Sequence, residues 1–158
     1  MRMWQGTDGM MRGPGFVVPE GYTKELALES VGPGWALLVN MLFSFIAHEK
    51  KYNNTEVTVI QVKEKFGTLR VYTSVSDVVP STRTEEGLNH SLDKYYFVGG
   101  FVSALERMSS HICEECGKAG QLRGGNWLQT TCDEHARGSR PVDFDEKLNE
   151  KLDLKLGS

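Results

Sequence analysis

Cys113-Glu-Glu-Cys116-Gly-Lys-Ala-Gly-Gln-Leu-Arg-Gly-Gly-Asn-Trp-Leu-Gln-Thr-Thr-Cys132-Asp-Glu-His135 is the stretch that decides how this chain is read. The spacing is C-x2-C-x15-C-x2-H: two chelating pairs joined by a linker long enough for a short β-ribbon. Zn²⁺ favours four tetrahedral ligands drawn from thiolate and imidazole, and the two pairs supply four. The chain has three cysteines, so none is left outside the constellation. A structural Zn²⁺ held by Cys113, Cys116, Cys132 and His135 is the expectation.

Local chemistry around the pairs suits a metal. A two-residue spacer lets both sulfurs of Cys113 and Cys116 face one point, and Gly117 can take the positive-φ backbone such a turn needs. Gly124-Gly125 offers a reversal between Leu122 and Trp127, and Leu128–Thr131 reads as a return strand that delivers Cys132 opposite the first pair. Asp133 and Glu134 suit the first turn of a following helix, where carboxylates meet exposed N–H groups. That helix would place Cys132 and His135 on one face.

Rival readings explain less. A disulfide framework fits poorly with an odd cysteine count and an N-terminus that lacks an apolar signal core. A redox dithiol at Cys113 and Cys116 leaves Cys132 and His135 without a role. His111 stands as an alternative fourth ligand. A catalytic zinc needs an open coordination position, which four protein ligands would close. The His-x-Glu and Pro-Cys-x-x-Cys pattern of the zinc deaminases is absent.

At 158 residues, 39% hydrophobic and 25% charged, the chain fits one domain, or one domain with a small appendage. A formal charge of −3 removes the general attraction for nucleic acid that a basic domain has, though a basic face remains compatible with it. The longest apolar stretch, Trp35 to Ala47, is thirteen residues and contains Asn40 and Ser44. A bilayer-crossing helix wants about 20 predominantly apolar residues, so no membrane span is expected. A reducing cytoplasm is the expected compartment.

Around the metal motif the chain divides into four parts. Residues 1–33 form a Gly/Pro-rich arm with Gly13-Pro14-Gly15 and Gly32-Pro33-Gly34 as turns; Phe16, Val17 and Val18 suit a short edge strand or an arm laid over the core. Residues 34–112 form an α+β core. Its first helix, over 34–51, buries a stripe of Trp35, Leu38, Leu42, Phe45, Ile46 and Glu49, and carries His48 as a solvent-facing cap. Val57–Lys63 and Thr68–Thr73 read as a β-hairpin turning at Gly67. A polar loop over 74–91 leads to a second helix starting near Ser91 or Asp93, with Val98, Phe101, Val102, Leu105, Met108 and Ile112 inward. Gly99-Gly100 in that helix suggests close packing on the hairpin or first helix, and the helix is read as running straight into Cys113. Residues 113–137 form the zinc ribbon, and 138–158 an acidic amphipathic tail with Phe144, Leu148, Leu152 and Leu156 at helical spacing.

The run Gln61-Val-Lys-Glu-Lys-Phe-Gly-Thr-Leu-Arg-Val-Tyr72, a helix, then Cys113-Glu-Glu-Cys116-Gly117, Trp127 and Cys132-Asp-Glu-His135 resembles a family of small bacteriophage and bacterial proteins in which a hairpin is linked to a zinc ribbon. The likeness covers roughly residues 34–137. It implies metal ligands at these four positions and supplies no catalytic residue.

Two α-helices packed on a β-hairpin that continues into a zinc ribbon is thus the expected architecture. The expected function is a zinc-stabilised binding or adaptor protein, a phage accessory factor engaging a host protein in defence or transcription, within the bacterial host cytoplasm if phage-encoded. Its expected partner is a protein. The alternative is nucleic-acid binding through Lys63, Lys65, Arg70, Lys118, Arg123, Arg137 and Arg140, residues that would equally serve an acidic partner. A metal-dependent nuclease ranks below both, because it would normally need a further His near the pairs, and 117–131 offers only Asn126.

Overall fold

The structure, a computed structural model, describes residues 4–5, 11–12, 22–78 and 85–142, with side chains from 22–78 and 92–142. The fold is α+β. Two strands, β1 (Trp4–Gln5) and β2 (Met11–Arg12), pair antiparallel. They are followed by α1 (Lys24–Glu29), a 3₁₀ turn at Pro33–Trp35 and α2 (Ala36–Tyr52). The long hairpin β3 (Thr55–Lys65) and β4 (Thr68–Asp77) comes next, then α3 (Glu85–Ser109). The described residues end in a three-stranded ribbon of β5 (Gln121–Gly124), β6 (Gln129–Thr131) and β7 (Arg140–Pro141), ordered β6-β5-β7. The expected strand or arm at Phe16–Val18 and the tail beyond Val142 lie outside the described residues.

Two antiparallel strands cannot bury a face alone, and here helices cover them. Trp35, Leu38, Val39 and Leu42 meet Val57, Val59, Val62, Leu69 and Val71 of the hairpin and Val98, Val102 and Leu105 of α3 in one cluster. The inward parity of β3 switches midway: Val57 and Val59 are buried, then Ile60 and Val62. A register irregularity between Val59 and Gln61 inserts Ile60, and this bulge explains why the sequence alternates only in part. Both outer edges of the hairpin are closed by side chains. Tyr22 Oη meets the backbone N–H and C=O of Val62 at 3.1 and 3.0 Å. On the other edge, the Leu69 N–H donates to Ser109 Oγ at 2.8 Å and the Val71 N–H to Glu106 Oε1 at 2.9 Å. Such capping removes the template for strand addition at these positions.

Several expectations need correction. The short helix α1 was not foreseen; Thr23 caps it, accepting from the Leu26 N–H at 3.2 Å. Strand β4 continues to Asp77, and α3 starts at Glu85 rather than near Ser91, so less of 74–91 is loop than the polar composition suggests. Acidic Glu85 and Glu86 suit that earlier helix start. Helix α3 ends at Ser109, short of Cys113, and the chain then tightens through i→i−3 bonds at Ser110, His111 and Ile112. Met108 is exposed rather than inward. Gly99 and Gly100 do not pack closely: a Cβ on either would meet nothing within 4 Å. No helix among the described residues is long and apolar enough to cross a membrane.

Candidate metal centre

The two ligand pairs arrive on different elements. Cys113 follows the turn after α3, while Cys132 leaves β6 and heads a 3₁₀ turn at Asp133–His135. That turn is tighter than the α-helix expected there, and Cys132 sits at its N-cap with extended backbone. The ribbon that joins the pairs is the hairpin the linker length implied: Leu122 opposes Thr130, and Gln121 opposes Thr131. Strand β7 was missed. Residues beyond Gly138 return to pair with β5, Arg123 opposing Pro141 and Gly124 opposing Arg140.

Between Cys113 and Gly117 the chain forms a knuckle. The Gly117 N–H donates to Cys113 O at 2.9 Å, and Gly117 takes φ +76° as the sequence suggested. The Cys113 N–H donates in turn to Lys118 O at 2.8 Å. As a result Cys113, Cys116, Cys132 and His135 present donor atoms that all lie within 4.8 Å of one another, a set able to hold a metal ion. Tetrahedral bonds of about 2.3 Å to sulfur and 2.0–2.1 Å to nitrogen imply ligand–ligand edges of about 3.8 Å for S–S and 3.6 Å for S–N. The observed separations are 3.7 Å for Cys116 Sγ–Cys132 Sγ, 3.6 Å for Cys113 Sγ–His135 Nδ1 and 3.2 Å for Cys132 Sγ–His135 Nδ1. The residues fit the group.

The surroundings tune these donors. Burial works against ionising Cys113, but the backbone N–H groups of Cys132, Cys116 and Glu115 outweigh it and bring its thiol down to about 6. Thiolate is the ligand form. Hydrogen bonds to Cys132 and then Cys113 raise the pKa of His135. His135 turns Nδ1 into the cluster and Nε2 toward Glu115, whose Oε2 lies 3.9 Å away and accepts from the Arg137 guanidinium at 2.9 Å. That 3.9 Å separation is an ion-pair distance, longer than the hydrogen bond by which a carboxylate usually orients a ligating imidazole. His111, the alternative ligand, is exposed and stands outside the cluster.

Most of the site's supports could not be read from the motif. The Gly32-Pro33-Gly34 turn lies on the knuckle, where the Gly34 N–H donates to Glu114 O at 2.8 Å. Trp35, fully buried, donates its indole N–H to Ile112 O at 2.8 Å. From the ribbon, Thr130 Oγ1 donates to Gly67 O at the hairpin tip at 2.6 Å, and the Glu114 N–H donates to Thr130 O at 3.0 Å. The first turn, the hairpin tip and the end of α3 therefore all meet at the cysteine cluster.

The cations singled out in the sequence separate into groups. Arg123 is buried, its Nε donating to Thr131 O at 3.1 Å and its guanidinium paired with Asp133, so it braces the ribbon and offers no surface for phosphate. Lys118 faces Glu134 at 3.3 Å, and Arg137 is held by Glu115. Lys63 lies over the Tyr72 ring, and Arg70 stands 3.9 Å from Glu106. Lys65 and Arg140 are exposed. Trp127 projects at the β5–β6 turn with 68% of its surface exposed.

No protein-family model matches this chain, and searches of curated proteins and of solved structures found no match either.

Proposed function

We propose that the four-donor cluster holds one structural Zn²⁺ and that the protein is a zinc-stabilised binding module acting on a protein partner. The observation that carries the reading is the convergence of three thiols and one imidazole within 4.8 Å of one another, at the point where separate elements of the core meet. Four protein donors fill a tetrahedral shell, which supports an anchoring role for the ion over activation of a bound water. Chemistry at the metal would leave a coordination position open; recognition would use the surfaces that the metal fixes.

A protein partner is favoured over nucleic acid by the fate of the basic residues. Three of the seven, Lys118, Arg123 and Arg137, are paired with carboxylates of the same ribbon, which breaks up any phosphate track there. Within the phage-like resemblance, the partner is a host protein and the role that of an accessory factor. The test is affinity capture from bacterial extract, with nucleic-acid binding titrated against salt in parallel. A discrete protein retained by the zinc-loaded chain and lost on chelation supports the reading. Retention of nucleic acid alone, with affinity falling steeply as salt rises, would replace it.

A further inference from the structure

Two adjoining cavities run along one side of the molecule, between β4 and α3 and on toward the ribbon. Their volumes are about 540 and 750 Å³, and they share Phe66, Arg70, Ser103 and Glu106 as walls. Together they make one trough. Its upper half is walled by Tyr72, Tyr95 and Tyr96 and floored by Gly99 and Gly100. Its lower half is walled by Leu122, Leu128 and Val142 of the ribbon. The two glycines cost helix stability in α3 and return no packing contact; what they leave is open space in the trough.

Phe66 marks the junction of the two halves. It occupies the first position of the two-residue turn between Lys65 and Thr68, with φ +55° followed by Gly67 at φ +75°. A turn with both central residues at positive φ strongly favours Asn-Gly, and a bulky aromatic side chain is strained at the first position. Burial does not compensate for the strain, because 65% of the Phe66 surface is exposed. An observed backbone outlier of this kind is a reason to look for a role at that residue. The charge along the trough is asymmetric as well. Lys65, Arg70 and Arg107 line it against one carboxylate, Glu106, whose Oε1 accepts from the Val71 N–H and whose Oε2 lies 3.9 Å from Arg70, so the strip keeps a positive excess. The whole chain carries −3, so this positive strip runs against the overall balance.

We propose that this trough is the docking site for an acidic, apolar-anchored peptide segment of the protein partner. Phe66 is the aromatic anchor, and Lys65, Arg70 and Arg107 receive the carboxylates. The inference rests on the binding reading above and gives it a surface and a ligand chemistry. Three cations beside a fixed carboxylate suit a peptide with a few acidic residues; a phosphate backbone would bring a repeating charge past Glu106.

The test uses the zinc-loaded full chain and four labelled probes: a short Glu/Leu peptide, its Gln/Leu and Lys/Leu counterparts, and oligo-dT. Fluorescence anisotropy is expected to show saturable binding of the acidic peptide alone. Phe66→Asn installs the preferred Asn-Gly turn, so it should melt at or above the temperature of the parent while weakening the peptide by roughly tenfold or more. Lys65→Glu with Arg107→Glu should weaken it similarly and leave melting unchanged. Undiminished peptide binding in both variants would overturn the assignment of the trough, and oligo-dT binding lost in the same variants would give it to nucleic acid. If the captured host protein still binds these variants, the binding reading stands and only the trough fails. If neither host protein nor any peptide binds the parent, the binding reading itself falls.

Discussion

Replacing Gly34 by alanine tests how the cysteine knuckle is built into the core. A Cβ at Gly34 would be driven into Cys113 O, and would lie 2.6 Å from Gly117 N and 2.7 Å from Glu114 C. All three are backbone atoms of the knuckle, so no flexible side chain can yield. Either the Gly32–Gly34 turn or the knuckle must move, and the Gly34 N–H bond to Glu114 O at 2.8 Å goes with it. Overpacking costs about 1–3 kcal/mol and a lost hydrogen bond about 0.5–1.5 kcal/mol, so about 2–4 kcal/mol is expected. For a chain of this size that is a fall in Tm of roughly 5–15 °C. Because Gly117 N and Cys113 O close the loop that holds two thiolates, zinc affinity should fall with it. Gly125→Ala is the control, since its Cβ meets nothing within 4 Å. The assay is thermal unfolding of both variants by circular dichroism, with zinc competition against a chromophoric chelator. A Gly34→Ala protein that melts within about 2 °C of the parent, a shift worth under about 1 kcal/mol, and keeps its zinc affinity would refute the contact.

Other substitutions probe separate parts of the fold. Ser109→Ala should cost about 1–3 kcal/mol in chemical denaturation, because it orphans the buried Leu69 N–H that Ser109 Oγ now accepts at 2.8 Å. Gly100→Ala should instead stabilise by about 0.5–1 kcal/mol in the same assay, as the new methyl meets open space and improves helix propensity. Glu114→Gln should change stability with pH. Burial, then the nearby Glu64, Cys113 and Glu115, raise the Glu114 pKa from 4.5 to about 7. A raised carboxylate contributes its stability fully below its unfolded pKa and loses it as pH rises through 7, so the charged form is a burden at pH 8. The Gln variant should therefore gain on the parent between pH 6 and pH 8, by about 1 kcal/mol after solvent screening. A gain that stays flat or reverses over that range would remove Glu114 as the cause.

The four-donor cluster was legible because its signal is local: two short spacings and a linker specify four donors without reference to the rest of the chain. The hairpin was legible from β-branched residues around Phe66-Gly67, although the bulge at Ile60 hid the parity switch. What escaped depends on contacts distant in sequence. Nothing near Gly34 indicates that its surroundings are the backbone of Cys113–Gly117, and nothing near Thr130 points to Gly67. Arg123 reads as a surface cation until Thr131 and Asp133 are brought around it. Strand β7 has no alternation to announce it; a two-residue strand is defined by its partner alone. Gly99-Gly100 was read as close packing because glycine serves both close approach and open space, and only the neighbours distinguish them.

Amide hydrogen exchange on the zinc-loaded and chelated protein is the most direct test of the central claim that this cluster is a metal staple for the core. If the ion is structural, its removal should abolish protection at Cys113, Glu114 and Gly117, and also at Gly34 and Leu69, whose N–H groups depend on the knuckle and on the end of α3. Amides of α2 beyond its first turns should keep most of theirs. Protection unchanged at Gly34 and Leu69 after complete metal removal would contradict the claim, leaving the four donors as a site hung on a fold that does not need it.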